Sequence, residues 1–483
     1  MTVQLIIDNQ KCNASDGKTF QRIDPLTGTL VSTGAACGVE DAARVAESSQ
    51  RAFRVWSKTG PDERRRILLA AADILEAKTD AFCAAMAEEV GSSQLWAQSN
   101  VQSSAKLLRE AAGMTTQIKG ETIPSDRPGT LSMTLRQPVG TVLSIVPWNG
   151  PILLGARAIA CPLACGNTVI FKGSETSPRV HELLAEVFVE AGLPAGVLNF
   201  IVTDPADAAA VTEVLVAHDT VRRVNFTGST NVGRMIAQTC AKYLKRCLLE
   251  LGGKAPFIVL DDADIDGAIN AAVFGAFLYQ GQICMSTERF VVDEAVADAF
   301  ASGFAERVSK LDVGIPTQAP NCIVGPVIGS GALGRINDLI DDALSKGAKL
   351  IAGALGDSTL MQPMLVDHVT PEMKIYHEET FGPVTIIVRT KGAEQALEIA
   401  NDSAFGLSSS IFTRDISRAL ELANRLDAGC IHINGATVNH EPQAPYGGMK
   451  NSGYGRFDGS AVIEEFTEIK WVTIQPSDQP YPF

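Results

Sequence analysis

The sequence predicts an α/β protein of two parallel-sheet lobes carrying a small β projection, on three observations. At 483 residues the chain exceeds what one hydrophobic core organises, so two or three lobes are expected. Two series of short β-rich runs alternate with helix-like segments, the pattern of βαβ units. A late strand-like stretch, FTEIKWVTIQ, has no local partner.

Composition narrows the class. The chain is 46% apolar and 20% charged, an ordinary globular balance. Its 41 Lys and Arg against 55 Asp and Glu give a net charge of −14 without a basic cluster, which argues against nucleic acid as a partner. Charges interrupt every apolar stretch well short of the ~20 residues a membrane helix needs, so no span is expected. The N-terminus MTVQLIIDNQKCNASDGKTF has acidic and amide residues where a signal peptide is basic and then apolar; a cytoplasmic protein is expected. The ten cysteines form no compact framework and read as mostly buried thiols in a reducing compartment.

Along the chain, Val39 to Met114 repeats apolar residues at helical spacing and predicts a helical hairpin region. Gly120, Pro124, Pro128 and Gly129 break it, and TLSMTLRQPVGTVLSIVPWN reads as strands. VGTVLSIVPWN, GNTVIFK, GVLNFIVT and VRRVNFTG are the strands of the first parallel series. Its crossovers, LLGARAIACPLACG and SPRVHELLAEVFVEAG, end in glycine as helices do. A ligand belongs at the C-terminal ends of such strands. The second series begins after Glu250 with APFIVL and continues through RFVVD, PVTIIVR and AGCIHING. The terminal FTEIKWVTIQ can pair with LSMTLRQ as a projecting sheet, whose edge suits pairing with another subunit.

The chemistry centres on three stretches. Cys284 lies on the turn GQICMS, where a thiol can be reactive. Glu250 ends an apolar run and precedes Gly252 and Gly253 in LELGGKAP, the setting of a general base, although a salt-bridged carboxylate is the default for a lone Glu. VNFTGSTNVGRMIA places Gly228, Thr230 and Gly233 at G-x-G-x-x-G spacing with Thr in the centre: a phosphate-holding turn or an ordinary βα turn. Cys161 and Cys165 are spaced C-x-x-x-C upstream of His181, but no second ligand pair follows, so buried packing thiols are expected and no metal.

With these stretches in view, the chain resembles the aldehyde dehydrogenase superfamily, whose landmarks occur in order as PWNGP, FKGSETSP, FTGST, LELGGK, GQIC, EETFGPV and GGMKNSGYGR. The resemblance covers nearly the whole chain. It implies a Rossmann-type cofactor domain over 1–119 and 138–249, a second α/β catalytic domain over 250–450, and a small β oligomerisation domain built from 120–137 and 451–483. It also implies a homodimer or homotetramer.

Carried over residue by residue, the resemblance makes Cys284 the nucleophile, Glu250 the base that activates water, and Asn149 the amide facing the oxyanion. For the cofactor it implies Trp148, Lys172 and Glu175 (the last two toward the adenosine ribose), the turn Gly228, Ser229 and Gly233 toward the pyrophosphate, and Glu379 and Phe381 beside the nicotinamide ribose. Glu175 would repel a 2′-phosphate, which favours NAD over NADP.

The implied substrate pocket comprises Trp96, Gly150, Leu154, Arg157, Leu278, Ile283, Met285 and Tyr446. Many relatives have bulky aromatics where this chain has Gly150 and Arg157. A flat aromatic aldehyde is expected, and the chain is most similar to the bacterial dehydrogenases of salicylaldehyde, benzaldehyde and vanillin. Arg157 is either a substrate contact or half of a structural ion pair. Aliphatic aldehydes or semialdehydes, a coenzyme A-acylating reaction and a noncatalytic structural protein are the alternatives; Glu250 argues against acylation to coenzyme A, and Cys284 with Asn149 against loss of catalysis.

Overall fold

Four helices, Val39–Trp56, Pro61–Ala77, Thr79–Val90 and Gln94–Met114, occupy the region where periodicity predicts a hairpin. The apolar stripe is continuous, but local signals divide it. Pro61 opens the second helix behind Gly60. Gly91, in the left-handed conformation, ends the third. Ser93 caps the fourth by accepting from the Trp96 N–H. The structure, a computed structural model, describes residues 1–482.

The first lobe is an eight-stranded sheet ordered Gly453–Tyr454, Arg246–Glu250, Val221–Thr227, Thr141–Ile145, Thr168–Lys172, Leu198–Ile201, Leu5–Ile7, Gln10–Cys12. Its five central strands are parallel, and the additions at both edges are antiparallel. Thr141–Ile145 and Thr168–Lys172 bury every residue, as expected for a parallel sheet covered on both faces. From Thr141–Ile145 the chain builds outward in one direction through 168–172 and 198–201, then returns to add 221–227 and 246–250 on the other side. The order therefore reverses between 141–145 and 221–227, the switch point beyond whose strand ends open α/β sheets bind ligands.

The second lobe is a seven-stranded sheet ordered Lys349–Ala352, Met364–Asp367, Val384–Thr390, Thr287–Asp293, Ala255–Val259, Ser408–Phe412, Cys430–Ile433. Arg289 is buried in it and donates to the carbonyls of Ile399, Ala400 and Asp402 at the C-terminus of the helix Gly392–Asn401, where a cation is favoured.

The tail finds the partner that its sequence lacks locally. Thr467–Ile474 runs antiparallel to Leu131–Pro138, which also pairs with Thr122–Ile123. Trp471 is 73% exposed on this sheet. Within 451–483, Gly453–Tyr454 joins the first lobe and Thr467–Ile474 joins the projecting sheet. No helix of the described residues is long and apolar enough to cross a membrane.

Candidate active site

Beyond the strand ends at the switch point lies a cleft of about 370 Å³. Trp148, Asn149 and Leu154 reach it from one side of the reversal and Gly228, Ser229 and Glu250 from the other, while Cys284, Glu379 and Phe381 come from the second lobe.

Cys284 follows a strained turn. Tyr279 and Gln280 are both left-handed, at φ 50° and 45°, a conformation costing on the order of 1–3 kcal/mol at each non-glycine residue. Neighbouring groups hold the turn in place. The Tyr279 ring stacks on Trp96 at 5.3 Å and its hydroxyl donates to the Val90 carbonyl. The Gln280 amide donates to the carbonyls of Gly91 and Pro326 and accepts from the Gly325 N–H. Gly253 lets the LELGGK strand approach: a Cβ there would sit 2.5 Å from the Cys284 carbonyl.

Around the sulfur, the Tyr446 hydroxyl lies 3.3 Å from Cys284 Sγ. Burial, then the charge of Glu250, push the thiol well above its ordinary value, so the resting sulfur is protonated. Asn149 Nδ2 donates to the Gln282 carbonyl at 3.0 Å, two residues before Cys284. The Asn149 carbonyl in turn accepts from the Trp96 indole at 2.9 Å. The Cys284 N–H has no backbone partner among the described residues.

Glu250 ends its strand fully buried. Its Oε2 accepts from Arg157 Nη2 at 3.0 Å, and Oε1 has no hydrogen-bond partner. Of the two roles expected for Arg157, the geometry shows the ion pair. The guanidinium is buried, also donates to Thr227 Oγ1 at 3.1 Å, and lies 4.2 Å from the Phe457 ring centre and 5.1 Å from that of Tyr446.

The nicotinamide end of a dinucleotide fits this donor set. Ser229 caps the helix Thr230–Lys242, whose N-terminus faces the switch point. Glu379 Oε1 accepts from the Gly253 N–H at 2.8 Å; burial, with the charge of Glu288, raises its carboxyl to about 7. Trp148 meets the edge of Phe381 at 5.8 Å. Lys172 and Glu175 stand past the adjacent strand end, outside the cleft lining; burial lowers the Lys172 ammonium and the Glu175 charge opposes it. Gly233 packs under Leu251, which a Cβ would meet at 2.4 Å.

Of the expected pocket residues, Leu154 lines the cleft. Ile283 and Met285 flank Cys284 and Leu278 opens the turn before it, all three buried, and Gly150 caps the helix Pro151–Ala164. Cys161 and Cys165 are buried, and His181 Nδ1 accepts from the Ser174 N–H.

Sequence reasoning missed the clamp that holds Glu379 and Phe381. Lys254 Nζ donates to Glu288 Oε2 at 2.6 Å and to Thr380 Oγ1 at 3.1 Å, and Glu288 accepts from the Thr380 and Phe381 N–H groups. Arg335 donates to the carbonyls of Glu379 and Thr380. The available signal was charge: Glu288 and Arg289 interrupt a strand that buries all seven of its residues.

A two-lobed α/β fold brings a thiol, an amide and a partly unsatisfied buried carboxylate together at its switch point, the arrangement of an enzyme site. The comparisons specify it further: the aldehyde dehydrogenase family model matches residues 12–472, and the chain belongs to that family. A salicylaldehyde dehydrogenase of Pseudomonas sp. (strain C18) is 56% identical over 483 residues, covering 100% of both chains. The crystal structure of a salicylaldehyde dehydrogenase from Pseudomonas putida G7 complexed with salicylaldehyde superposes with TM-score 0.99 at 55% identity, covering 100% of both chains. PnpE in complex with nicotinamide adenine dinucleotide superposes with TM-score 0.95 at 35% identity, covering 100% of this chain and 99% of the other. The protein is an aldehyde dehydrogenase.

Proposed function

We propose that the protein oxidises an aromatic aldehyde of the salicylaldehyde type to its carboxylic acid, with NAD as cofactor and water as second substrate. The observation that carries this reading is the meeting in the cleft of Cys284, Asn149 and Glu250, whose Oε1 has no partner, with the Tyr446 hydroxyl 3.3 Å from the sulfur. Relatives that act on salicylaldehyde and bind nicotinamide adenine dinucleotide support it.

Because the resting thiol is protonated, Glu250 first takes its proton. The sulfur then adds to the aldehyde carbon, and the Asn149 amide and the Cys284 N–H stabilise the resulting oxyanion. NAD, when bound by Lys172, Glu175, Ser229 and Glu379, supplies the hydride acceptor. Collapse of the oxyanion leaves a thioester on Cys284. Glu250, having passed the thiol proton on to solvent, deprotonates through Oε1 the water that attacks the thioester, whose C–S bond breaks to release the acid and the Cys284 sulfur; Arg157 on Oε2 keeps Oε1 turned toward the sulfur. Trp96, Gly150, Leu154, Leu278, Ile283, Met285 and Tyr446 form the aromatic pocket, and Glu175 gives preference to NAD over NADP. The protein works without a metal, as a cytoplasmic homodimer or homotetramer joined through the sheet of Leu131–Pro138 and Thr467–Ile474.

The test is a substrate panel of salicylaldehyde, benzaldehyde, vanillin, a short aliphatic aldehyde and succinic semialdehyde, each with NAD and NADP, read as reduced-nicotinamide absorbance. The aromatic aldehydes with NAD are expected to give the highest kcat/KM, free acid is expected without coenzyme A, and Cys284→Ser should abolish the signal. A preference for the aliphatic aldehyde or the semialdehyde would overturn the substrate, and a requirement for coenzyme A the hydrolytic step.

A further inference from the structure

Beside Cys284 two stretches of chain are laced together by a side-chain pair that the proposed reaction does not use. Tyr446 and Phe457 form an antiparallel bridge, each N–H donating to the other's carbonyl at 2.8 Å, and the Gly459 N–H donates to the Pro442 carbonyl at 3.0 Å. Between these bonds Asp458 stands at φ 60°, left-handed backbone that a residue other than glycine seldom adopts. The Asp458 carboxylate is buried, and its Oδ2 accepts from His440 Nε2 at 2.9 Å. A carboxylate only accepts, so this bond places the imidazole proton on Nε2 and fixes the ring. The ring in turn meets that of Tyr446 at 6.0 Å and 78°, an edge-on contact.

Two observations set the pair apart from ordinary packing. Each member keeps a buried polar atom without a partner, Asp458 Oδ1 and His440 Nδ1, and Asp458 borders a cavity of about 330 Å³ with Glu110, Gln117 and Ser460. Left-handed backbone and unsatisfied polar atoms persist together where the surroundings hold a residue in place for a purpose. The second observation is what the laced residues touch. The Tyr446 hydroxyl lies 3.3 Å from Cys284 Sγ. The Phe457 ring lies 4.2 Å from the Arg157 guanidinium, which donates to Glu250 Oε2 at 3.0 Å. Burial and then the Glu250 charge push the Cys284 thiol up, while the Tyr446 hydrogen bond, followed by the Arg157 charge, acts against them. Both groups that favour the thiolate therefore sit on the two laced residues.

Given the roles proposed for Cys284 and Glu250, we infer that His440 and Asp458 are positioning residues: Asp458 fixes His440, and His440 fixes the Tyr446 ring so that its hydroxyl donates to the sulfur as the thiolate forms. The same lacing keeps Phe457 against Arg157. Neither residue of the pair moves a proton in the reaction; each acts through the aromatic ring that it holds.

The test is the rate at which iodoacetamide alkylates Cys284 in the full-length protein without aldehyde, followed by peptide mapping. Asp458→Gly removes the carboxylate and suits the left-handed backbone, so the turn keeps its course. It should slow alkylation at neutral pH several-fold and slow the reduced-cofactor burst with salicylaldehyde in step. Asp458→Asn, which keeps an acceptor for His440 and tolerates the same backbone, should restore most of the rate. In a Tyr446→Phe background Asp458→Gly should cost little more, because the hydroxyl that it positions is gone. NAD affinity unchanged in Asp458→Gly shows that the fold survives. Should Asp458→Gly not fold, His440→Gln, which keeps a donor for Asp458 and loses the ring, is expected to give the same loss with the same dependence on the Tyr446 hydroxyl. Alkylation at the wild-type rate in these variants, or an equal loss with and without that hydroxyl, would overturn the inference. Failure of aromatic aldehydes as substrates would overturn the proposed function instead, and the alkylation result would still decide the role of the pair.

Discussion

Two buried ion pairs stand four residues apart along one stretch of chain and are built differently. Lys254–Glu288 is saturated: both oxygens of Glu288 accept hydrogen bonds, from Lys254, Thr380 and Phe381. Arg157–Glu250 is equally buried, yet Glu250 Oε1 has no partner. Leaving a buried charged oxygen unsatisfied costs on the order of 1–3 kcal/mol or more, and a structure bears that cost where the oxygen has work to do. The saturated pair fixes a loop; in the proposed reaction the open pair keeps an acceptor ready for a proton.

Glu250→Gln breaks the open pair most directly. It keeps the shape and removes the base, so turnover should fall by about 10²–10⁴-fold. In single-turnover mixing the reduced-cofactor burst should persist while thioester hydrolysis stalls. Full steady-state turnover in this variant would remove Glu250 from the water step.

Arg157→Met should cost less. The methionine fills part of the space between Tyr446 and Phe457, but it leaves Glu250 buried without its cation, a loss of about 3–5 kcal/mol if the charge persists. An unpaired buried carboxylate tends to take up a proton instead. Deacylation should therefore be slow at neutral pH and recover as pH rises, with KM for the aldehyde nearly unchanged and Arg157→Lys partly restored. A large rise in aldehyde KM with an unshifted pH profile would instead make Arg157 a substrate contact.

Glu288→Gln attacks the saturated pair, and its effect should appear on the cofactor. It leaves Lys254 buried without its anion and frees the backbone at Thr380 and Phe381, so KM for NAD should rise while the burst per bound cofactor stays intact. Equal loss of the burst would show that this pair, too, serves the chemistry.

The two pairs were unequally legible in the sequence. The parallel series, the ligand-bearing end of its strands and the pairing of the tail with LSMTLRQ could all be read, because alternation, glycine caps and an unpartnered strand are local signals; the order reversal needed the sheet itself. That Cys284, Glu250 and Asn149 line one cleft was legible through their motifs. Arg157 remained ambiguous because its partner is 93 residues away, brought near by the parallel alignment of 221–227 with 246–250 and the helix that crosses them. Glu288 was missed for a related reason: its partners arrive from Lys254 and from the loop at Thr380, and only the register Ala255 to Thr287 puts them together. The helical region was read too coarsely, since Gly60, Gly91 and Ser93 divide what the periodicity shows as continuous.

The smallest effect is one of pH, and it links the saturated pair to the cleft. Burial, with the charge of Glu288, raises Glu379 from 4.5 to about 7. A carboxyl whose folded value lies above its unfolded one binds its proton more tightly when folded. Its contribution to stability is therefore complete below about 4.5 and is lost as pH rises through about 7. Cofactor binding should run the opposite way, because ionised Glu379 accepts ribose hydroxyls better, so NAD affinity should tighten as pH rises through about 7. Glu379→Gln should flatten that dependence. Glu288→Gln, by removing the neighbouring negative charge, should move its midpoint lower even as affinity weakens overall. Affinity titrations of the three proteins by tryptophan fluorescence, using Trp148 in the cleft wall, separate these outcomes. An unchanged midpoint in Glu288→Gln would mean that the clamp acts on Glu379 only through the backbone it holds.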